Sequence, residues 1–343
     1  MTSQAINAPS PEVRAEALAR FDGLAKPVGS LGRLEDVGAF IAACQGVCPP
    51  EALDNVRVVV LAGDHGVTAS GVAAYPSAVT IAMVGEIAAG RAGVSVLARQ
   101  HGVALRVLDI SVDVDSGTFP EGVDAFKQRR SCPPIDTTDA MTGSELDAAL
   151  DAGSRIAQEE IDAGAQLIVV GDLGIGNTTP SAALVGAQLE LTAADVTGRG
   201  AGLDDEAYAA KVAVVQRIIN RASAADDARE RLRRIGSPDI AVGVGLMIAA
   251  ARAGVPVLLD GNIATTEALY ADALAPGCAA WFIAGHRSPE PSLSRSLNAL
   301  GLAPLVDLGM RLGEGSGALA TLPMVRSSVL LLREMALLSD VLG

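Results

Sequence analysis

Leu167-Ile168-Val169-Val170-Gly171-Asp172-Leu173-Gly174-Ile175-Gly176-Asn177-Thr178-Thr179-Pro180 is the stretch that decides the fold. Its first four residues are a short apolar, β-branched run of the kind buried on both faces of a parallel sheet. Residues 171–179 make a polar, glycine-containing loop, and an Ala-rich run of helical character begins at Pro180. Strand, loop and helix in that order bring the free amides of a helix N-terminus to the carboxyl end of a strand, where an anion binds well. An ordinary strand-to-helix turn capped by Asn177 or Thr178 accounts for the same residues. The loop is not a Walker A motif, because no Lys follows its second Gly, and it lacks a proper GxGxxG, so a dinucleotide site is poorly supported.

The same alternation extends in both directions. Strands are expected at 57–61, 105–110, 167–170, 255–259 and 279–283, with helices at 78–99, 143–163, 205–221 and 239–253. The fold class is therefore α/β, a Rossmann-like open parallel sheet flanked by helices. Two more strands run into polar loops, Ala62-Gly63-Asp64-His65-Gly66 and Asp260-Gly261-Asn262, and ligands in open α/β sheets gather at such carboxyl ends. Segments before residue 52 and after about residue 297 read as helices without strands, at 12–24, 31–44 and from 316 onward. The expected organisation is a small helical lobe built from both termini (residues 1–50 and 298–343) against an α/β domain (residues 51–297). Ser30 is the candidate cap of the second helix.

Composition narrows the function. Half of the 343 residues are hydrophobic, enough for a sizeable core, and 26 Lys+Arg against 40 Asp+Glu with no basic, aromatic-interleaved stripe argue against nucleic-acid binding. On so acidic a chain, any phosphate site must be built locally from backbone amides and a few cations. Cys44, Cys48, Cys132 and Cys278 form no paired CxxC clusters and the three His are scattered, which argues against a zinc site. Without a basic-then-apolar N-terminus, and with its apolar stretches interrupted, the chain reads as a soluble cytoplasmic protein with no membrane partner.

Three more clusters carry the candidate chemistry. In Arg311-Leu312-Gly313-Glu314-Gly315-Ser316-Gly317-Ala318 one carboxylate stands between glycines, the way a desolvated general base is made. A Gly-rich turn whose acid favours the start of a helix at 316–334 explains the same residues. Gly198-Arg199-Gly200-Ala201-Gly202-Leu203-Asp204-Asp205 leads into a helix with Lys211 about two turns in, either a phosphate cation or a solvated Lys behind a linker whose Asp residues cap the helix. Gly285-His286-Arg287-Ser288-Pro289-Glu290 closes the last strand, and its His reads as a general base, a metal ligand or a structural hydrogen bonder.

KPVGSLGRLE, AGDHGV, GDLGIGNTTP, GRGAGLDD, LLDGNIATTEAL, GHRSPE and DLGMRLGEGSGALA occur in one order along the chain. On these motifs, from about residue 12 to about residue 335, the sequence resembles the nicotinate-nucleotide-dimethylbenzimidazole phosphoribosyltransferase family. The resemblance implies transfer of ribose 5-phosphate from nicotinate mononucleotide to 5,6-dimethylbenzimidazole, giving α-ribazole 5'-phosphate and nicotinate with inversion, without metal or other cofactor, in cobalamin biosynthesis. It also implies a homodimer. By resemblance, Glu314 is the base that deprotonates the benzimidazole. Asp172, Gly174, Gly176, Gly200, Lys211, Gly261, Ser288 and Arg311 fall at the phosphate and ribose contacts, and Tyr75, Met83, Leu173 and Leu312 fall at the pocket for the aromatic base.

Three positions depart from the family pattern. Asp172 stands where relatives usually carry Glu, and Tyr75 and Met83 where some carry a small hydroxyl residue and an amide, which leaves open whether the acceptor is dimethylbenzimidazole, adenine or a phenol. Two other readings remain open on the residues: a metal-dependent phosphohydrolase using Asp64, His65, Asp172, Asp260 and His286, and a non-catalytic azole or nucleotide sensor.

Overall fold

The computed structural model describes residues 5–200 and 202–343. Ala201, inside one quoted glycine cluster, and residues 1–4 of the expected terminal lobe lie outside the described residues. Five strands, β1 (Val56–Gly63), β2 (Ala104–Ser111), β3 (Leu167–Leu173), β4 (Val257–Leu259) and β5 (Phe282–Ala284), form one parallel sheet in the order β2-β1-β3-β4-β5. The sheet grows outward in opposite directions from the β1–β3 pair, where Val58 faces Val169 and Leu61 faces Asp172. A crevice opens at the carboxyl ends of the strands beside such a reversal.

Side-chain alternation along the strands explains why both faces are covered. Val59, Leu61, Ile168, Val170, Val257 and Leu259 pack in one buried cluster with residues of helices Gly143–Asp162, Thr178–Leu189, Pro238–Arg252 and Asn262–Leu274. Val58, Val60, Leu167, Val169, Leu258 and Ile283 turn the other way, against helices Ala78–Ala88, Gly93–His101 and Ser316–Glu334. A third cluster of Ala17, Phe21, Leu24, Ala39, Ala42 and Leu332 joins the N-terminal helices Pro11–Asp22 and Arg33–Gln45 to the far end of Ser316–Glu334. That last helix lies at once on the sheet and among the terminal helices. The expected domain boundary at 297/298 falls inside helix Pro291–Leu300.

Three sequence expectations need correction. The helix expected at 78–99 is two helices, broken after Ala88 because Gly90 turns left-handed (φ 76°) before Gly93 starts the second. The last strand begins at Phe282 rather than residue 279, because Cys278–Trp281 forms a short 3-10 turn. Ser30 caps nothing: helix Arg33–Gln45 starts after Gly32, and the preceding turn is held by Glu35, which accepts Leu31 N (3.1 Å) and pairs with Lys26 Nζ (2.7 Å). Helix Ser316–Glu334, by contrast, has the ends its sequence implied.

Candidate active site

One cleft of about 200 Å³ opens at the carboxyl ends of β3, β4 and β5. The end of β3 supplies Asp172 and Leu173, the loop and helix start after it Gly174, Gly176, Asn177 and Thr178, and the segments after β4 and β5 supply Asp260, Gly261, Asn262, His286, Ser288 and Glu290. Gly200 and Lys211 form one wall, with Tyr75 and the Arg311-Leu312-Gly313 run at other edges. Of the residues expected at the site, Met83 and Glu314 are the two that do not line this cleft.

The loop after β3 is braced from several sides. Asn177 occupies the N-cap of helix Thr178–Leu189, yet its side chain caps nothing and donates instead to Asp172 Oδ1 (2.7 Å). Ile175 N donates to Thr80 Oγ1 (3.1 Å). The adjoining loop is fixed by Asn262, which donates to Ser181 Oγ (2.9 Å) and accepts from Ser292 Oγ (2.7 Å). Asn177 N and Thr179 N turn back to Gly174 O (3.2 Å) and Gly176 O (3.0 Å), so the amides of Gly176 and Thr178, held this rigidly, are the ones that suit a phosphate.

Lys211 is the buried cation of the site, 1% exposed on helix Asp205–Ala222, which Asp204 caps through Ala207 N. Its Nζ donates to Thr178 Oγ1 (2.8 Å), leaving ammonium protons free for an anion. Burial pushes its pKa down, and the Glu290 carboxylate opposes that shift. Glu290 Oε1 accepts Gly200 N (2.9 Å) while Oε2 is buried without a partner, and Arg311 Nη1 donates to Gly200 O (3.1 Å). Thus Glu290, inside a quoted motif but not singled out, orders the glycine loop that faces Lys211. Its signal was weak, since an acid in a phosphate site runs against simple charge complementarity.

Glu314 lies directly behind Gly313, 3% exposed, with Oε2 buried and unpartnered. Three successive residues are left-handed, Gly313 (φ 82°), Glu314 (φ 65°) and Gly315 (φ 89°), and the turn they make packs against Gly171 near the carboxyl end of β3. Glu314 N donates to Asp172 O (3.2 Å), tying the turn to β3. From the other side Asp260 accepts Gly315 N (3.1 Å) and Ala318 N (3.0 Å), so the cap of helix Ser316–Glu334 comes from the loop after β4. Burial raises the Glu314 pKa; the Val94 amide at the start of helix Gly93–His101 lowers it, and nearby Asp260 adds to the rise. A buried carboxyl with a raised pKa and a free oxygen has the properties of a general base.

Met83 does not line the cleft; half-buried on helix Ala78–Ala88, one turn on from Thr80, it packs against the apolar cluster that includes the cleft residue Leu173. His286, raised as a base or ligand, is buried with Nδ1 3.2 Å from its neighbour's carbonyl, Arg287 O, and Nε2 3.7 Å from Asp260 Oδ1. Among the described residues no three His, Cys, Asp or Glu side chains are arranged to hold a metal ion.

A glycine-loop cradle, a buried Lys and an isolated, desolvated acid around one crevice of a doubly wound sheet define an enzyme class that moves phosphorylated ribose. A family model described as phosphoribosyltransferase matches residues 6–341. The nicotinate-nucleotide–dimethylbenzimidazole phosphoribosyltransferase of Corynebacterium efficiens is 51% identical over 333 residues, covering 97% of this chain and 89% of that protein. The one from Mycobacterium marinum is 47% identical over 336 residues, covering 98% and 93%. A crystal structure of CobT from Thermus thermophilus superposes with a TM-score of 0.92 at 40% identity, over 96% of this chain and 98% of that one. This chain belongs to the family of nicotinate-nucleotide–dimethylbenzimidazole phosphoribosyltransferases.

Proposed function

We propose that this enzyme transfers ribose 5-phosphate from nicotinate mononucleotide to 5,6-dimethylbenzimidazole, with inversion at the sugar carbon, for cobalamin biosynthesis. The phosphate sits on the amides of the loop after β3 and on Lys211, within reach of Gly200, Ser288 and Arg311. Asp172 and Gly261 face the ribose, and Tyr75, Leu173 and Leu312 flank the aromatic acceptor. Nicotinate departs as positive charge builds on the sugar carbon, and the azole nitrogen attacks from the opposite face. Glu314 takes the azole proton, which frees the attacking lone pair.

The observation that carries this reading is the placement of Glu314: dry, with one oxygen unpartnered, one residue behind a wall of the cleft. Since Glu314 stands behind Gly313 rather than in the lining, the acceptor must reach it past Leu312, which is 58% exposed. Incubating the protein with mononucleotide and dimethylbenzimidazole in chelator, with proton NMR detection, should give free nicotinate and the α-nucleotide in equal amounts. Release of inorganic phosphate instead, or tight binding of the azole with no turnover, would remove the proposal.

We also propose a cytoplasmic homodimer of two-lobed subunits, the helices of residues 1–50 and 298–343 forming the smaller lobe. Tyr75 (54% exposed) and the apolar, partly open helix Ala78–Ala88 beside the cleft mouth are the surface such a pairing would cover. Four free cysteines suit a reducing compartment. Sedimentation at micromolar concentration tests the dimer; a monomer there refutes it.

A further inference from the structure

His65, in the loop after β1, has no part in the proposed transfer and does not line the cleft, yet its ring lies against the loop that takes the phosphate. The residue is 2% exposed and its backbone is clamped. Its carbonyl accepts Thr68 N (3.0 Å) and Thr68 Oγ1 (2.9 Å), while the flanking Asp64 O and Gly66 N pair with Cys132 N and Cys132 O, both at 2.8 Å. Asp239, 0% exposed at the start of helix Pro238–Arg252, presses on Gly63, where a Cβ would lie 2.7 Å from Asp239 Oδ1. Its Oδ2 stands 3.6 Å from His65 Nε2, an ion-pair distance, and has no hydrogen-bond partner among the described residues. Gly174 rests on the same two residues: a Cβ there would lie 2.1 Å from Gly63 O and 2.9 Å from His65 Nε2. At Gly176 a Cβ would lie 2.6 Å from Thr68 Cγ2. The two glycines thus let the loop settle on the His65–Thr68 turn, and Gly174 O in turn accepts Asn177 N (3.2 Å) at the helix start.

We propose that His65, held through its Nε2 hydrogen by Asp239, is a positioning residue whose ring supports the phosphate loop and aims the amides of Gly176 and Thr178 at the mononucleotide. A buried carboxyl oxygen without a donor is costly, and among the described residues His65 Nε2 is the one nitrogen within ion-pair reach of Asp239. That oxygen therefore fixes which ring nitrogen bears the hydrogen and how the ring stands. Groups that bind a ligand must be held to within about 0.5 Å of their productive geometry by neighbours whose own conformations are locked. A ring pinned by Asp239 and in contact with Gly174 meets that requirement.

The ligand comes from the proposed reaction, on which this inference rests, so binding and turnover are read separately. Calorimetry of nicotinate mononucleotide on the full chain should show His65→Leu, which drops the donor, and Asp239→Leu, which drops the acceptor, each binding about tenfold more weakly, the worth of one misaimed charged hydrogen bond. His65→Gln, whose amide donates from the place of Nε2, should stay within about threefold of wild type. The double variant His65→Leu/Asp239→Leu should bind no more weakly than the weaker single, because both act through one support. The KM for dimethylbenzimidazole should stay as in wild type throughout. Undiminished mononucleotide binding in folded His65→Leu, additive losses in the double variant, or no recovery in His65→Gln overturns the inference. Should the single variants fail to fold, the double variant decides, since replacing both partners of a buried polar pair by apolar groups is nearly neutral; wild-type affinity there overturns the inference. Turnover with undiminished binding in these variants sinks the support alone, whereas the expected binding pattern in a protein without turnover sinks the reaction alone.

Discussion

Replacing Gly171 with Ala tests the link between the sheet and the catalytic acid. A Cβ at Gly171 would lie 2.4 Å from both C and O of Glu314 and 2.5 Å from Gly315 N. These are backbone atoms, so no side-chain rotation relieves the clash, and ordinary contact requires the turn to retreat by about 1 Å. The turn cannot retreat freely, because Asp260 grips Gly315 N and Ala318 N from behind. A misplacement of about 1 Å costs about 100-fold in rate when it shifts a group acting at the reacting atoms. Overpacking of this kind also destabilises by about 1–3 kcal/mol, which a protein of this size survives at 25 °C. Gly171→Ala should therefore fold, melt earlier, bind mononucleotide nearly as wild type does, and lose about two orders of magnitude in kcat. Steady-state nicotinate release beside a urea melt measures both effects. Turnover within threefold of wild type, in a folded variant, would refute the claim that the contact between Gly171 and the 313–315 turn aims the base.

Three further perturbations probe the site separately. Glu314→Gln should lower kcat by about 10²- to 10⁴-fold; in wild type the rate should fall as pH drops through a pKa above the ordinary value of 4.5, and an acid limb that survives in the variant points to another base. Lys211→Met should weaken mononucleotide binding by about 10- to 100-fold. Because burial depresses the pKa of Lys211, its ammonium destabilises the fold at neutral pH, and the variant's stability advantage should vanish above pH 10.5; denaturant melts at both pH values check the sign. Asp260→Ala should cost about 1–2 kcal/mol through loss of the cap on helix Ser316–Glu334, read as a shifted urea midpoint with unchanged slope.

The sheet was legible because both its faces are buried, which prints β-branched runs such as Leu167-Ile168-Val169-Val170 into the sequence. Helix Ser316–Glu334 was legible because glycines mark its start. The break between Ala88 and Gly93 was hidden, since an Ala- and Gly-rich turn keeps the hydropathy of a continuous helix. At the site, glycine loops and Lys211 stood out through local composition. Glu290 did not, because its part depends on which loops the sheet order brings together.

Glu314 sits in a backbone conformation natural to glycine, with an acid in a dry place. Relieving either condition should make the molecule sturdier, and Glu314→Gly relieves both, by about 1 kcal/mol or more for the backbone alone. A laboratory evolution campaign that rewards heat tolerance without monitoring product would thus drift toward a robust, inert scaffold, with this position among the first to be lost.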